Sequence, residues 1–259
     1  NADFDKYLNF HNYKFKNENN ENGGYAILKN KNVILSVDLG SSPQKKFSSD
    51  YQSGALSFEI FFNNCKLISN CGYFQNYKHQ LNLISKSTAC HSSLVIDNAS
   101  SVSFIKQSSG INKINSSLKI FDRKIVKDNN YWSFEASHNG YVKKFGILHY
   151  RKVEFFHDIS KLSGLDRIEK KEDFKKFNFE IRFHLDPEAK VMKTQDGKSI
   201  YISLRNEGWK FISLNNKITF ETGLYFGEKN NYVENQNILI SGGIGYEEMI
   251  IKWEIEKVK

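Results

Sequence analysis

Residues 177–185, FNFEIRFHL, set Phe177, Phe179, Ile181, Phe183 and Leu185 on one side of an extended chain and Asn178, Glu180, Arg182 and His184 on the other. A period of two suits a half-buried strand, because successive side chains of a strand point to opposite faces. The alternation returns over 199–204 and 250–258, where Ile251, Trp253 and Ile255 oppose Lys252, Glu254 and Glu256. Further strands are predicted over 32–39, 55–62, 92–98, 117–126, 131–138 and 141–156. Asn139-Gly140 reads as the two-residue turn of the last pair, since both positions accept φ > 0. Helical periodicity is weak throughout, with 158–174 at best a short helical excursion. Many antiparallel strands with one wet face predict an all-β fold, a large antiparallel β-sandwich of supersandwich type with few or no helices.

Composition agrees with strands: aromatic residues make up 14%, with 21 Phe and 13 Tyr, which suit a pleated, half-buried surface. At 259 residues the chain is long enough for one large β domain. Residues 1–22 are rich in Asn, Glu and Lys and cannot bury enough apolar surface to order themselves. They are expected to be a linker from an upstream domain, with the compact domain over 23–259. The first residue is Asn1, no signal segment precedes the strands, and no run of about 18 apolar residues occurs. The expectation is a piece of a longer protein or a mature form, without membrane insertion.

The net charge is +8, with lysines interleaved among Asn and Glu; even the densest run, 169–176, is mixed in sign. A nucleic-acid stripe would need clustered Arg, which the chain lacks, so nucleic acid is not an expected partner. A basic surface of this kind fits an acidic polysaccharide or a membrane surface, and equally an ordinary solvated face. Cys65, Cys71 and Cys90 form neither a disulfide framework nor a CxxC zinc pair, although Cys71 and Cys90 are candidates for neighbours. Dinucleotide, P-loop, zinc-protease, serine-hydrolase and EF-hand signatures are absent.

What remains are polar groups at strand ends. The segment SGALSFEIFFNNCKLISNCGYF, 53–74, reads as a hairpin flanked by Asp50-Tyr51-Gln52 and Asn70-Cys71-Gly72. His91 opens a strand, and His138 and His149 flank the Asn139-Gly140 turn. His149 and Arg151 share a strand face, an arrangement suited to a carboxylate, though a solvated face gives the same pattern.

In order along the chain, GGYAIL, GALSFEIFFNNCKLISNCG, ACHSSLVIDN, ASHNGYVKKFGILHYRKVEF and IRFHLDP resemble the C-terminal β-sandwich domain of heparinase II/III-like polysaccharide lyases, over roughly 23–259. The resemblance implies an upstream α/α-toroid domain that supplies a Tyr and an Asn or His, and β-elimination at a uronic acid. In metal-containing relatives three ligands fall at positions that here are Gln52, Asn70 and His91, and a histidine reaching the cleft corresponds to Asp50. Two ligands are thus amides, poor partners for zinc. No cofactor is expected, with a divalent metal such as zinc as the alternative. Asp50, His138 and His149 are the implied catalytic residues and Arg151 the substrate-binding one. The implied function is the β-sandwich portion of a lyase acting on a uronic-acid-containing polysaccharide, inactive without its toroid. The alternative is a non-catalytic carbohydrate-binding or structural module with a degenerate metal site. By the same resemblance the location is periplasmic or cell-envelope, with the cytoplasm open.

Overall fold

In the computed structural model the alternating segments pair into strands. The structure describes residues 21–170, 176–227, 231–245 and 248–258 and the isolated positions 6 and 10. In chain order the strands are β1 (Glu21–Asn22), β2 (Tyr25–Lys29), β3 (Val33–Asp38), β4 (Phe58–Phe62), β5 (Cys65–Ser69), β6 (Leu94–Ile96), β7 (Phe104–Lys106), β8 (Asn112–Ile114), β9 (Ile120–Lys127) and β10 (Tyr131–His138). They continue as β11 (Ile147–Phe156), β12 (Lys161–Lys170), β13 (Phe177–Leu185), β14 (Lys190–Lys193), β15 (Ser199–Leu204), β16 (Glu207–Ser213), β17 (Lys217–Tyr225), β18 (Val233–Ile244) and β19 (Met249–Val258). The first sheet runs β1-β2-β3-β4-β5-β13-β18-β17, with β6 also on β13, and the second runs β14-β15-β16-β19-β12-β11-β10-β9. β7 and β8 form a separate ribbon. This is the expected all-β antiparallel sandwich. Among the described residues no helix is long and apolar enough to cross a membrane.

Aromatic side chains join the two sheets. Phe58 of the first stacks on Trp253 of the second at 5.7 Å between centroids, Phe183 meets Trp253 and Phe211 at 4.7 Å each, and Phe62 meets Trp209 at 4.3 Å. Each ring is buried, and such pairs add to area burial about 0.5–1.5 kcal/mol apiece. The β4–β5 hairpin turns on Asn63 and Asn64, at φ 46° and 64°. Both conformations suit Asn, as a tight hairpin requires.

Three expectations are corrected. The segment 158–174 holds a strand, β12, paired on both edges, and not a helical excursion. Its inward face is Leu162, Gly164, Asp166 and Ile168, and the Gly and Asp mask the apolar alternation. Asn139-Gly140 is not a two-residue turn: β10 and β11 begin their pairing at His138↔His149, and a short helix, Val142–Phe145, lies between. The residue with positive φ is Gly146, at 63°, which ends that helix in the left-handed conformation. His184 does not share the solvent face of its strand, because the chain around Cys71 and Ala89 covers it. The expected linker, 1–22, lies almost entirely outside the described residues; Glu21 and Asn22 pair with Ala26 and Tyr25.

Gly164 faces Trp253 across the β12–β19 pairing, and a Cβ there would come within 2.0 Å of the indole. Gly164→Ala must therefore displace the ring at the centre of the aromatic contacts. The expected loss is about 1–3 kcal/mol, read as a lower urea midpoint; an unchanged midpoint would show that the indole relocates freely.

Candidate functional site

At the end of β3, β4 and β5 the first sheet carries a cleft of about 290 Å³. Its floor follows from strand alternation. Tyr25, Ser36, Asp38 and Glu59 point away from the core, while their neighbours Ala26, Val37, Phe58 and Ile60 point into it. The walls come from the loops: Gln52 before β4, Asn70, Gly72 and Tyr73 after β5, and His91 before β6.

Gln52, Asn70 and His91, separated in sequence, thus line one cleft. Asn70 is engaged at both ends of its amide: its Oδ1 accepts from the Ser92 amide at 2.8 Å, and its Nδ2 and backbone N–H donate to Glu59 Oε1 at 3.3 and 3.1 Å. His91 Nδ1 donates to the Ser87 carbonyl at 2.8 Å, which leaves Nε2 as the ring's acceptor. Burial pushes its pKa down to about 4, so the ring is neutral. Among the described residues no three His, Cys, Asp or Glu side chains are grouped to hold a metal ion. With the Asn70 oxygen committed to a backbone amide and Gln52 a neutral amide, the set does not fit zinc.

Asp50 is exposed beside the cleft and accepts from the Tyr73 hydroxyl at 3.2 Å, which itself accepts from Asn82 Nδ2 at 3.0 Å. The Lys86 ammonium lies 5.7 Å from the Tyr73 ring centroid. It donates to the Ser49 and Asn112 carbonyls, and burial draws its pKa below the ordinary value. Asp38, with Gly40 N–H at 3.0 Å, is raised by burial to about 6. Glu59 is paired with Lys66 at 3.3 Å. Asp38, Glu59 and Tyr73 were not singled out from the sequence. The two carboxylates read as an ordinary wet strand face, and Tyr73 had only its position after Gly72 to mark it.

His138, His149 and Arg151 lie elsewhere. They are 1%, 0% and 0% exposed, between the sheets, and are not among the residues that line the cleft. His138 Nδ1 accepts from Gly140 N–H at 3.1 Å, so its Nε2–H donates to His149 Nδ1 at 3.0 Å, and His149 Nε2–H donates to Asp166 Oδ1 at 2.7 Å. Arg151 Nε donates to the same oxygen at 2.7 Å, and Trp253 Nε1 donates to Asp166 Oδ2 at 2.9 Å. Burial alone would raise the Asp166 pKa; the Arg151 guanidinium, helped by His149, outweighs it and holds the carboxyl well below the usual range. Burial also lowers both histidines, which stay neutral. Arg151 Nη1 crosses to the first sheet and donates to the Leu56 and Ser92 carbonyls at 3.0 and 2.6 Å. Leu56 has φ 59°, a conformation rare for a side chain of its size, and Ser92 follows His91. The ion pair therefore fixes two segments that wall the cleft. Cys71 and Cys90 are close, with the Cys71 N–H on the Cys90 carbonyl at 2.8 Å, and both are free thiols.

The heparinase II/III-like, C-terminal family matches residues 17–254. The fold is similar to that of the heparan sulfate lyase HepC from Pedobacter heparinus, at 16% identity and a TM-score of 0.75, covering 100% of this chain and 41% of that one. It is also similar to the heparinase III BT4657 gene product, at 13% identity and a TM-score of 0.70, covering 91% of this chain and 35% of that one. A further crystal structure of heparinase III gives 14% identity and a TM-score of 0.68, covering 92% and 36%. The chain thus spans less than half the length of each. No curated protein matches the chain.

Two outcomes are expected from this geometry. Arg151→Ala leaves Asp166 charged and buried, which costs about 3–5 kcal/mol. Arg123→Ala, at the exposed pair with Glu21, costs no more than about 1 kcal/mol; equal urea midpoints for the two variants would contradict the central role of Arg151. The second outcome concerns pH. His91 and His184, held by burial near 4 and 3, take up protons in the unfolded chain first. Their contribution is complete above about pH 6.5 and is lost as pH falls towards 4. Asp38 works oppositely, because its raised pKa makes the folded state bind a proton as pH falls through about 6. Urea midpoints should therefore fall from pH 6.5 to 4, and more steeply in Asp38→Asn; a shallower slope in that variant would contradict the assignment.

Proposed function

Because the chain belongs to the heparinase II/III-like C-terminal family, we propose that it is the β-sandwich portion of a lyase that cleaves a uronic-acid-containing polysaccharide by β-elimination, working with an upstream toroid domain. A base removes the C5 proton of the uronate, the electron pair forms the C4–C5 double bond, and the 4-O-glycosidic oxygen leaves with a proton. Negative charge builds on the carboxylate side of the sugar, so groups that neutralise it contribute most. In this reading the base and the neutralising group come from the toroid, and this chain closes the other side of the cleft.

The observation that carries the reading is the convergence of Gln52, Asn70 and His91 on one cleft, with Asp50 bonded to a fourth lining residue, Tyr73. Gln52 presents an amide and Tyr73 a fixed hydroxyl, both able to bind sugar hydroxyls. Asp50 accepts from such hydroxyls and holds Tyr73 in place. His91 offers a neutral ring nitrogen as acceptor. His138, His149 and Arg151 act as positioning residues, through the Leu56 and Ser92 carbonyls. No step depends on a metal, since the donors do not fit one.

A second reading, a non-catalytic glycan-binding or structural module, is favoured by the Asn70 amide, whose oxygen and nitrogen are both spent on protein partners. Ultraviolet absorbance of unsaturated uronate separates the two. With a panel of acidic polysaccharides the toroid-containing parent protein should give a rise and the 259-residue chain none. No rise from the parent across the panel would leave the non-catalytic module.

A further inference from the structure

The cleft is poor in positive charge. Asp38 and Glu59 line it, Asp50 stands beside it, and no lysine or arginine is among its lining residues. A polyanionic glycan needs cationic contacts somewhere along its length, and a second groove supplies them. This groove, about 390 Å³, lies between the segment 43–45, the connection 114–117 and the turn that follows β10. Lys45 and Lys143 line it together with the polar side chains of Gln44, Asn115, Ser116 and Asn139, and no acidic residue does. Both lysines are exposed and, among the described residues, neither has a carboxylate partner. Lys119, also exposed, is joined by its N–H to Asn139 Oδ1 at 2.8 Å. Phe47, 70% exposed, ends the 3-10 turn Lys45–Phe47 next to the groove segment and carries the Lys46 ammonium over its ring at 4.7 Å.

The groove is built and not a chance gathering of surface side chains. Ser42 accepts the Leu118 N–H at 2.8 Å, and Ser48 Oγ accepts the Ile114 N–H at 3.1 Å, so the 42–48 segment is pinned to the 114–118 connection. A Cβ on Gly140 would come within 2.7 Å of the Ser101 carbonyl, so the turn carrying Asn139 and Lys143 is packed closely. The same pinned segment continues through Ser49, whose carbonyl accepts from Lys86, to Asp50 and to Gln52 in the cleft. Lys45 and Gln52 are seven positions apart in the chain, at most about 25 Å even if fully extended.

We infer that the Lys45–Lys143 groove is a binding site for the anionic groups, carboxylate or sulfate, of an acidic oligosaccharide whose chain continues into the cleft. Lysine ammonium groups meet carboxylate or sulfate as point charges, and the Asn and Ser side chains take sugar hydroxyls. The ligand class rests on the polysaccharide reading above; the site itself rests on the groove.

The test is calorimetric titration of the 259-residue chain with a sulfated glycosaminoglycan oligosaccharide and an alginate oligosaccharide, with a neutral glucan oligosaccharide as reference. Lys45→Glu/Lys143→Glu should weaken binding of at least one acidic ligand by about tenfold or more, and Lys45→Gln/Lys143→Gln should weaken it less. Lys29→Glu/Lys31→Glu makes the same change in net charge at two exposed lysines by the β2–β3 turn and should leave binding within about twofold. All variants alter exposed side chains, and unchanged urea midpoints verify their folding. Equal weakening by the groove and control pairs, or no binding of either acidic ligand, would overturn the inference. The parent protein separates this inference from the lyase reading. Uronate release from long polymer that is untouched by the groove reversal would sink the groove and leave the lyase; groove-dependent binding with no release by the parent would do the reverse.

Discussion

The Arg151–Asp166 pair sits where the two sheets meet, and the loops around the cleft depend on it. A buried ion pair is a weak source of net stability, because two desolvated charges barely recover in mutual attraction what they lose in hydration. This one does more than satisfy itself. Asp166 takes three donors, from Arg151, His149 and Trp253, across three adjacent strands of one sheet. Arg151 then reaches into the other sheet to two backbone carbonyls, Leu56 and Ser92. What the pair supplies is position: it holds Leu56 in a left-handed conformation and the chain after His91 against the start of β4.

From Ser92 the constraint spreads outward. The Ser92 N–H is on Asn70, its hydroxyl is on the Ser69 carbonyl, and the His184 N–H is on that hydroxyl. Asn70 in turn binds Glu59. A chain of hydrogen bonds therefore runs from the core of the sandwich to the cleft wall. Asn70 is part of this framework, which is the physical reason it is unsuited to ligate an ion: turning its oxygen to a metal would strand the Ser92 amide.

The charge of the molecule is divided between surfaces. The cleft has carboxylates, hydroxyls and a neutral imidazole, whereas the groove at 43–45 has lysines that, among the described residues, have no carboxylate partner. A net charge of +8 gave no hint of that division, because the lysines are scattered in sequence and their clustering depends on which turns the sheets bring together. Lys45 and Lys143 are almost a hundred positions apart, and neither neighbourhood is distinctive.

The alternation of apolar and polar residues was enough to give the all-β class, the antiparallel sandwich and the inward faces of β13 and β19, because period two follows from backbone geometry alone. The ordered motifs brought out Gln52, Asn70 and His91 together, and the fold sets them around one cleft. Where the inward face is not apolar the signal vanished: β12 carries Gly164 to admit Trp253 and Asp166 to meet Arg151, requirements that come from other strands. The same limit applies to His138, His149 and Arg151. Their place on strands was legible, but whether a strand face meets water or a second sheet is settled only when the sheets pack, and here they pack face to face over those three side chains. Sequence determined the local geometry of the strands; tertiary structure decided which polar residues became a core and which came to line a cleft, because burial is a property of the assembled sheets and not of any one of them.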